Sequence, residues 1–213
     1  MKYRVWEPIY EEILKDFGFD REKDEEAANI AAAIMSRKGS KGENVKKEIE
    51  NLIKGKEAVI CGNAPCLEFN LREQELELPL DFVVIAADGA TSVLLRNAII
   101  PDIVVTDLDG NIADIIYANR LGSLIVVHAH GDNIGILEKI LPALNENVIC
   151  TTQSRPLNNV YNFGGFSDGD RCVFLAKEFG AKGIKLIGFD FEDTSVSERK
   201  KKKLKWAKRL ING

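Results

Sequence analysis

Asp107 and Asp109, two positions apart in Thr106-Asp107-Leu108-Asp109-Gly110, are the residues in this chain whose type and spacing most suggest chemistry, and Asp88-Gly89-Ala90 supplies a third carboxylate in a similar setting. Each segment follows a short apolar run. If extended backbone continues through residue 109, the two-residue period turns both carboxylates of the pair to one face, a few ångströms apart. Carboxylates so placed repel unless a cation lies between them. Magnesium suits such a site, because it takes few carboxylates and completes its shell with water and phosphate oxygens, whereas a calcium cage needs about six or more oxygens. The bland alternative is that the aspartates are turn or capping residues. The presence of Asp88 beside the pair weighs against it.

Further polar segments follow other apolar runs. In His128-Ala129-His130-Gly131-Asp132-Asn133 the two histidines and Asp132 occupy alternating positions. This resembles the H-x-H-x-D stretch of metallo-β-lactamase-like hydrolases and so implies zinc-dependent hydrolysis as a competing chemistry. The chain has two histidines in all, however, and Asn133 stands where that family carries another metal-binding histidine. On the milder reading Asp132 joins Asp107 and Asp109 as a metal ligand, while His130 and Asn133 meet nucleotide phosphate and the other histidine packs or orients. Gly62-Asn63, in Cys61-Gly62-Asn63-Ala64-Pro65, and Gly89 are turn positions where backbone N–H groups can approach a phosphate. Neither matches a P-loop or a dinucleotide fingerprint, so an ordinary turn stays equally open. In Asn162-Phe163-Gly164-Gly165-Phe166-Ser167-Asp168-Gly169-Asp170-Arg171, a glycine loop runs into a helix start. Ser167 or Asp168 is a natural N-cap. Functionally, Arg171 and exposed N–H groups can meet phosphate, with Gly165 and Asp168 facing the substrate. Asp190 either reads a donor edge of a heterocycle or caps the last helix.

These segments need a scaffold that gathers them. From residue 55 onward, β-rich apolar runs (58–61, 82–86, 103–105, 124–127, 148–150 and 184–187) alternate with amphipathic stretches at about 89–98, 112–121, 133–145 and 168–179. Continuous apolar strands fit a sheet covered on both faces. Repeated βα units give a Rossmann-like, doubly wound, mainly parallel α/β fold, in which ligands bind outside the carboxyl ends of the strands. Residues 1–55 read as an N-terminal helical segment without strands, with Asp20 capping one helix through Met35 and Asn44 another through Ile53. Residues 56–213 then form the catalytic domain. Along Ser195 to Ile211, Leu204, Ala207 and Ile211 make an apolar stripe, and the Arg199 to Lys203 basic run lies outside it as a solvated face.

Composition narrows the partners. A formal net charge of -4 over 213 residues provides no global basic field for nucleic acid. No apolar stretch approaches the roughly 18 residues of a membrane span, and the charged N-terminus has no signal-peptide character. Cys61, Cys66, Cys150 and Cys172 contain no C-x-x-C pair and read as reduced, mostly buried thiols of a cytoplasmic protein. Monomer and homo-oligomer both stay open.

Taken together, Ala87-Asp88-Gly89-Ala90, the stretch from Pro101 to Gly110 and the acidic turn at Asp132 resemble the spaced aspartates of thiamine pyrophosphokinase. The chain is more similar still to the archaeal 6-hydroxymethyl-7,8-dihydropterin pyrophosphokinase family, through His128 to Asn133 and Gly164 to Arg171. The resemblance spans about residues 58–193. It implies transfer of diphosphate from ATP, with Mg²⁺, to the hydroxymethyl group of a small heterocycle in a folate- or methanopterin-type pathway. It implies Asp88, Asp107, Asp109 and Asp132 as the metal- or phosphate-side carboxylates. A thiamine-directed relative and a non-catalytic nucleotide-binding regulator on the same fold are the alternatives.

Overall fold

In a computed structural model describing residues 2–39, 42–73 and 81–213, the chain forms one seven-stranded sheet between two helical layers. The strands are β1 (Glu57–Cys61), β2 (Phe82–Ala87), β3 (Ile103–Thr106), β4 (Leu124–Ala129), β5 (Val148–Thr152), β6 (Val160–Tyr161) and β7 (Gly183–Ile187). Every pairing is parallel, in the order β6-β5-β4-β3-β2-β1-β7. The expected mainly parallel, doubly wound α/β class is thus present, with β6 added at one edge.

The continuous apolar runs are explained by strict division of each strand between two cores. Val59, Cys61, Val84, Ala86 and Val104 enter one core, and their neighbours Ala58, Ile60, Val83, Ile85 and Ile103 enter the other. The first core is covered by α2 (Arg21–Arg37), α4 (Cys66–Glu73), α5 (Ala90–Arg96), α6 (Ile112–Arg120) and α7 (Ile134–Ile140). The second is covered by α3 (Gly42–Ile53) and α8 (Asp168–Glu178). The N-terminal helices therefore take part in covering the sheet, with α2 and α3 on opposite faces. A third cluster joins Trp6, Tyr10 and Ile13 of α1 (Tyr3–Phe17) to Trp206 and Leu210 of α9 (Glu198–Asn212), with Phe166 and Phe174 between them.

Local signals were mostly sound at helix starts. Asp20 caps α2 by accepting from the Glu22 N–H, but α3 begins at Gly42, so Asn44 lies inside its first turn and is not its cap. Pro142 follows α7 in a single 3-10 turn, which ends the helix earlier than its apolar pattern suggests. Helix α4 and strand β6 escaped the sequence reading, because β6 has only two residues and α4 follows a proline turn. No helix among the described residues is long and apolar enough to cross a membrane.

The topology also places a cleft. The chain runs β1 through β6 in one direction across the sheet and then returns, so that β7 lies on the other side of β1. Loops leaving β1 and β7 consequently diverge at a switch point, the usual ligand position in such sheets. There the two backbones nearly touch. The Ala64 N–H donates to Gly188 O at 2.9 Å, and a Cβ on Gly62 would stand 2.7 Å from Gly188 O.

Candidate active site

Strand β3 does not continue to residue 109. It ends at Thr106, and Leu108 turns into left-handed backbone with φ 67°, so the period-two expectation fails for a local reason. The buried Thr106 hydroxyl accepts the Leu108 N–H at 2.8 Å and donates to Asp88. Asp107 in turn accepts the Asp109 N–H at 3.2 Å. This tight turn achieves what an extended strand would not require: Asp88, Asp107, Asp109 and Asp168 present carboxylate oxygens that all lie within 4.8 Å of one another. Gly110 is necessary for the close approach, since a Cβ there would collide with the Asp88 carboxylate.

The fourth member is therefore Asp168, at the start of α8, in the place expected for Asp132. Asp132 is mostly exposed, with its carboxylate 4.0 Å from Arg199. Ser167 is the N-cap of α8 and Asp170 closes the capping box, accepting N–H groups from Phe166 and Ser167. That arrangement leaves Asp168 free to face the cluster, where it is held 3.1 Å from the Arg171 guanidinium. Gly165, with φ 93°, packs so closely that a Cβ would be 2.8 Å from Arg171 Cα, so its part is to let the loop seat Arg171.

The electrostatics are those of crowded anions. Burial pushes Asp88 up to about 6, aided by Asp109 and Asp107 and opposed by the Thr106 hydroxyl. Burial likewise raises Asp168 well above the ordinary carboxylate range, with Asp107 adding to it and Arg171 opposing, and Asp109 also moves up. Asp107 is the exception. Burial works to raise it, but the His130 hydrogen bond and the Arg171 and His130 charges outweigh that and hold it low. His130 Nδ1 accepts the Asp132 N–H, leaving Nε2 to carry a proton toward Asp107 Oδ2 at 3.4 Å.

Other candidates separate into those that face the cleft and those that position it. Gly62, Asn63, Gly89 and Asp190 line the large cleft at the switch point beside the carboxylates. Asp190 accepts the Glu192 N–H, and Ser197 is the cap of α9. Asn133 does not face the cleft. Its amide donates to Asp107 O at 2.8 Å and His128 O at 2.7 Å while its oxygen accepts the His130 N–H, so it ties the ends of β3 and β4 together. His128 is buried against Thr151, and burial, then Arg171 and His130, keep it neutral.

Lys203 was missed. The basic run reads as a solvated face in sequence, yet α9 packs on α1 through Trp206 and Leu210 and thereby turns Lys200 and Lys203 over the cleft. Burial, followed by the charge of Arg171, lowers Lys203. A spacing of seven between Lys200 or Lys203 and the buried Ala207 or Leu210 was the available signal.

The donor set fits a hard divalent cation. It offers four aspartates and no histidine or cysteine, and anions this close gain from a cation's charge. A convergent zinc set of His128, His130 and Asp132 is not formed, because His128 is sealed in the core and Asp132 points to solvent.

Residues 37–196 match the family model described as 6-hydroxymethylpterin diphosphokinase MptE-like. The chain belongs to this family. Three curated relatives, each named 6-hydroxymethyl-7,8-dihydropterin pyrophosphokinase, align with nearly all of it. That of Pyrococcus furiosus is 43% identical over 99% of this chain and 93% of its own. Those of Methanothermobacter thermautotrophicus and Methanocaldococcus jannaschii are each 41% identical over all of this chain, covering 94% and 95% of theirs. This member of the MptE-like family is thus a diphosphotransferase enzyme.

Burial of a carboxylate, with others crowded beside it, has a measurable cost in this MptE-like site. Folded Asp88 binds its proton more tightly than an unfolded aspartate, so folding weakens as pH rises from about 4 to about 6 and the penalty remains at neutral pH. The interval corresponds to roughly 3 kcal/mol as an upper bound. Asp88→Asn is expected to raise the melting temperature of metal-free protein at about pH 7.5 and to leave it unchanged near pH 3.5, below the ordinary aspartate value. Thermal unfolding at the two pH values checks this, and an unaltered midpoint at the higher one would refute it.

Proposed function

We propose that this enzyme transfers the terminal diphosphate of ATP to the hydroxymethyl group of 6-hydroxymethyl-7,8-dihydropterin, with magnesium, releasing AMP. The observation that carries the reading is the convergence of Asp88, Asp107, Asp109 and Asp168 beside Arg171 at the strand ends, within a chain so similar to enzymes of that name.

The large cleft, about 490 Å³, suits the nucleotide. Val196, Leu204 and Ala207 give it an apolar wall, while Arg171, Lys200 and Lys203 supply positive charge for the phosphates. Asp107, Asp109 and Asp88 would hold magnesium, joined by Asp168, while Asp132, four ångströms from Arg199 at the surface, lies outside this set. Bound there, the ion would neutralise phosphate oxygens and orient them. Arg171 and Lys203 fix the diphosphate so that its inner phosphorus faces the acceptor. The hydroxymethyl oxygen forms a bond to the β-phosphorus as the bond to the α-phosphate oxygen breaks. AMP leaves with that electron pair, and the hydroxyl proton passes to a carboxylate of the Asp107–Asp109 pair. A cytoplasmic location accords with four free cysteines, three of them buried.

The test is to incubate the protein with ATP, Mg²⁺ and the pterin and separate products by chromatography with mass detection. AMP and pterin diphosphate are expected in equal amounts. ADP with a pterin monophosphate would overturn the regiochemistry, and AMP formation with thiamine but not with the pterin would replace the acceptor.

A further inference from the structure

The cleft at the switch point has a charged part, the carboxylates with Arg171 and Lys203, and an apolar part formed by Phe189, Phe191, Leu204 and Ala207. The two aromatic rings have no part in the chemistry above. Both are only partly buried, and both border the cleft. Its volume of about 490 Å³ lies in the range of small-ligand sites, roughly 300–1,000 Å³.

Contacts on either side order these parts along the cleft. Phe189 is gripped by glycines at opposite edges of its ring: a Cβ on Gly62 would stand 2.9 Å from Cε2, and one on Gly169 would stand 2.8 Å from Cε1. Gly169 follows Asp168, so this ring adjoins the carboxylate cluster. Phe191 is the next ring, its centroid 5.6 Å from that of Phe189 and the planes at 41°. Its neighbour Glu192 meets Lys208 of α9 at 2.6 Å, which ties the Phe191 loop to the helix beyond Lys203. Lys208 is five residues past Lys203, about 8 Å along the helix axis. Lys203 therefore stands by the cluster, and Ala207, one turn on, stands nearer the Phe191 loop.

Resting on the function proposed above, we infer that this aromatic part is the nucleobase subsite: the adenine of the donor lies against Phe191, with Leu204 and Ala207 as the other wall, and Phe189 forms the floor between base and phosphates. With the triphosphate at the carboxylates, Arg171 and Lys203, ribose and the α-phosphate separate the base from the β-phosphorus, which matches a ring one step removed from the cluster. The acceptor ring is a single methylene from the reacting oxygen and belongs nearer the carboxylates. An aromatic face binds a base through its π-face without reading its edge, and that binding energy, remote from the reacting bond, is available to orient the triphosphate.

Titration calorimetry with magnesium and α,β-methylene-ATP tests this without turnover, because carbon replaces the bridging oxygen whose bond to the β-phosphorus breaks. Phe191→Ala is expected to raise the Kd of this analogue by about 10- to 100-fold, the range for loss of one base–aromatic stack. Inorganic tripolyphosphate, which lacks the base, should keep its Kd within about twofold, and so should the KM for the pterin, a division that general loosening of the fold would not produce. If Phe191→Ala does not fold by circular dichroism, Phe191→Leu keeps the apolar bulk, loses the ring and decides the question with a rise of about fivefold or more. An unchanged Kd for the analogue, or an equal rise for tripolyphosphate, would overturn the subsite. A rise in the pterin KM alone would also overturn it, by making Phe191 an acceptor contact. A wild type that binds the analogue but does not turn over the pterin would overturn the function proposed above and leave the subsite standing, and one that does not bind the analogue would overturn both.

Discussion

Asp107→Asn and Asp109→Asn are each expected to lower turnover by about 10³-fold or more, because a divalent-ion site contributes several kcal/mol to charge stabilisation and each tenfold costs about 1.4 kcal/mol. Neither should unfold the protein. An asparagine oxygen at 107 can still accept from one of the two donors that meet Asp107, His130 Nε2 or the Asp109 N–H, and both substitutions remove like charge from a set of carboxylates within 4.8 Å. The measurement pairs kcat at saturating ATP, Mg²⁺ and acceptor with the metal-free melting temperature. Near-wild-type rates in both variants would take the cluster out of the chemistry, and a large fall in melting temperature would make it structural.

Arg171→Met is expected to reduce kcat/KM for ATP by about 10²- to 10³-fold, the cost typical of deleting one preorganised donor at a site of developing charge. Arg171 is 7% exposed, meets Asp168 at 3.1 Å and keeps an unpartnered Nε, so the guanidinium has capacity beyond its ion pair. Arg171→Lys keeps the charge and loses the planar fork. If the fork binds phosphate, the lysine variant should recover only a small part of the loss. Full recovery by lysine would reduce Arg171 to charge balance against Asp168, and the comparison of the two kcat/KM values reads this directly.

The sheet was legible in the sequence because burial on both faces forces unbroken apolar strands, and β1 to β5 appear as such runs, while β7 is interrupted by the exposed Lys185. Helix α8 was legible through its cap, as Ser167 and Asp170 satisfy backbone N–H groups locally and need no distant partner. Asp88, Asp107 and Asp109 were legible as a set because each follows a strand whose end must lie at one edge of a parallel sheet.

What tertiary structure decided lies where distant segments meet. Asp168 replaces Asp132 in the cluster because the loop through Gly165 folds back over β3, whereas Asp132 begins a short turn that leads outward. Asn133 became a tie between strands, since the Asp107 and His128 carbonyls and the His130 N–H all lie within reach of its amide. Lys203 entered the site through the packing of α9 on α1, segments almost two hundred residues apart. By itself the sequence determined the longer strands, the caps of α2 and α8 and the reach of Asp88, Asp107 and Asp109 to the sheet edge, since these depend on periodicity and local hydrogen bonding. Which of those residues share one cavity depends on how helices from both ends of the chain close over that edge, and such long-range packing leaves no local pattern to read.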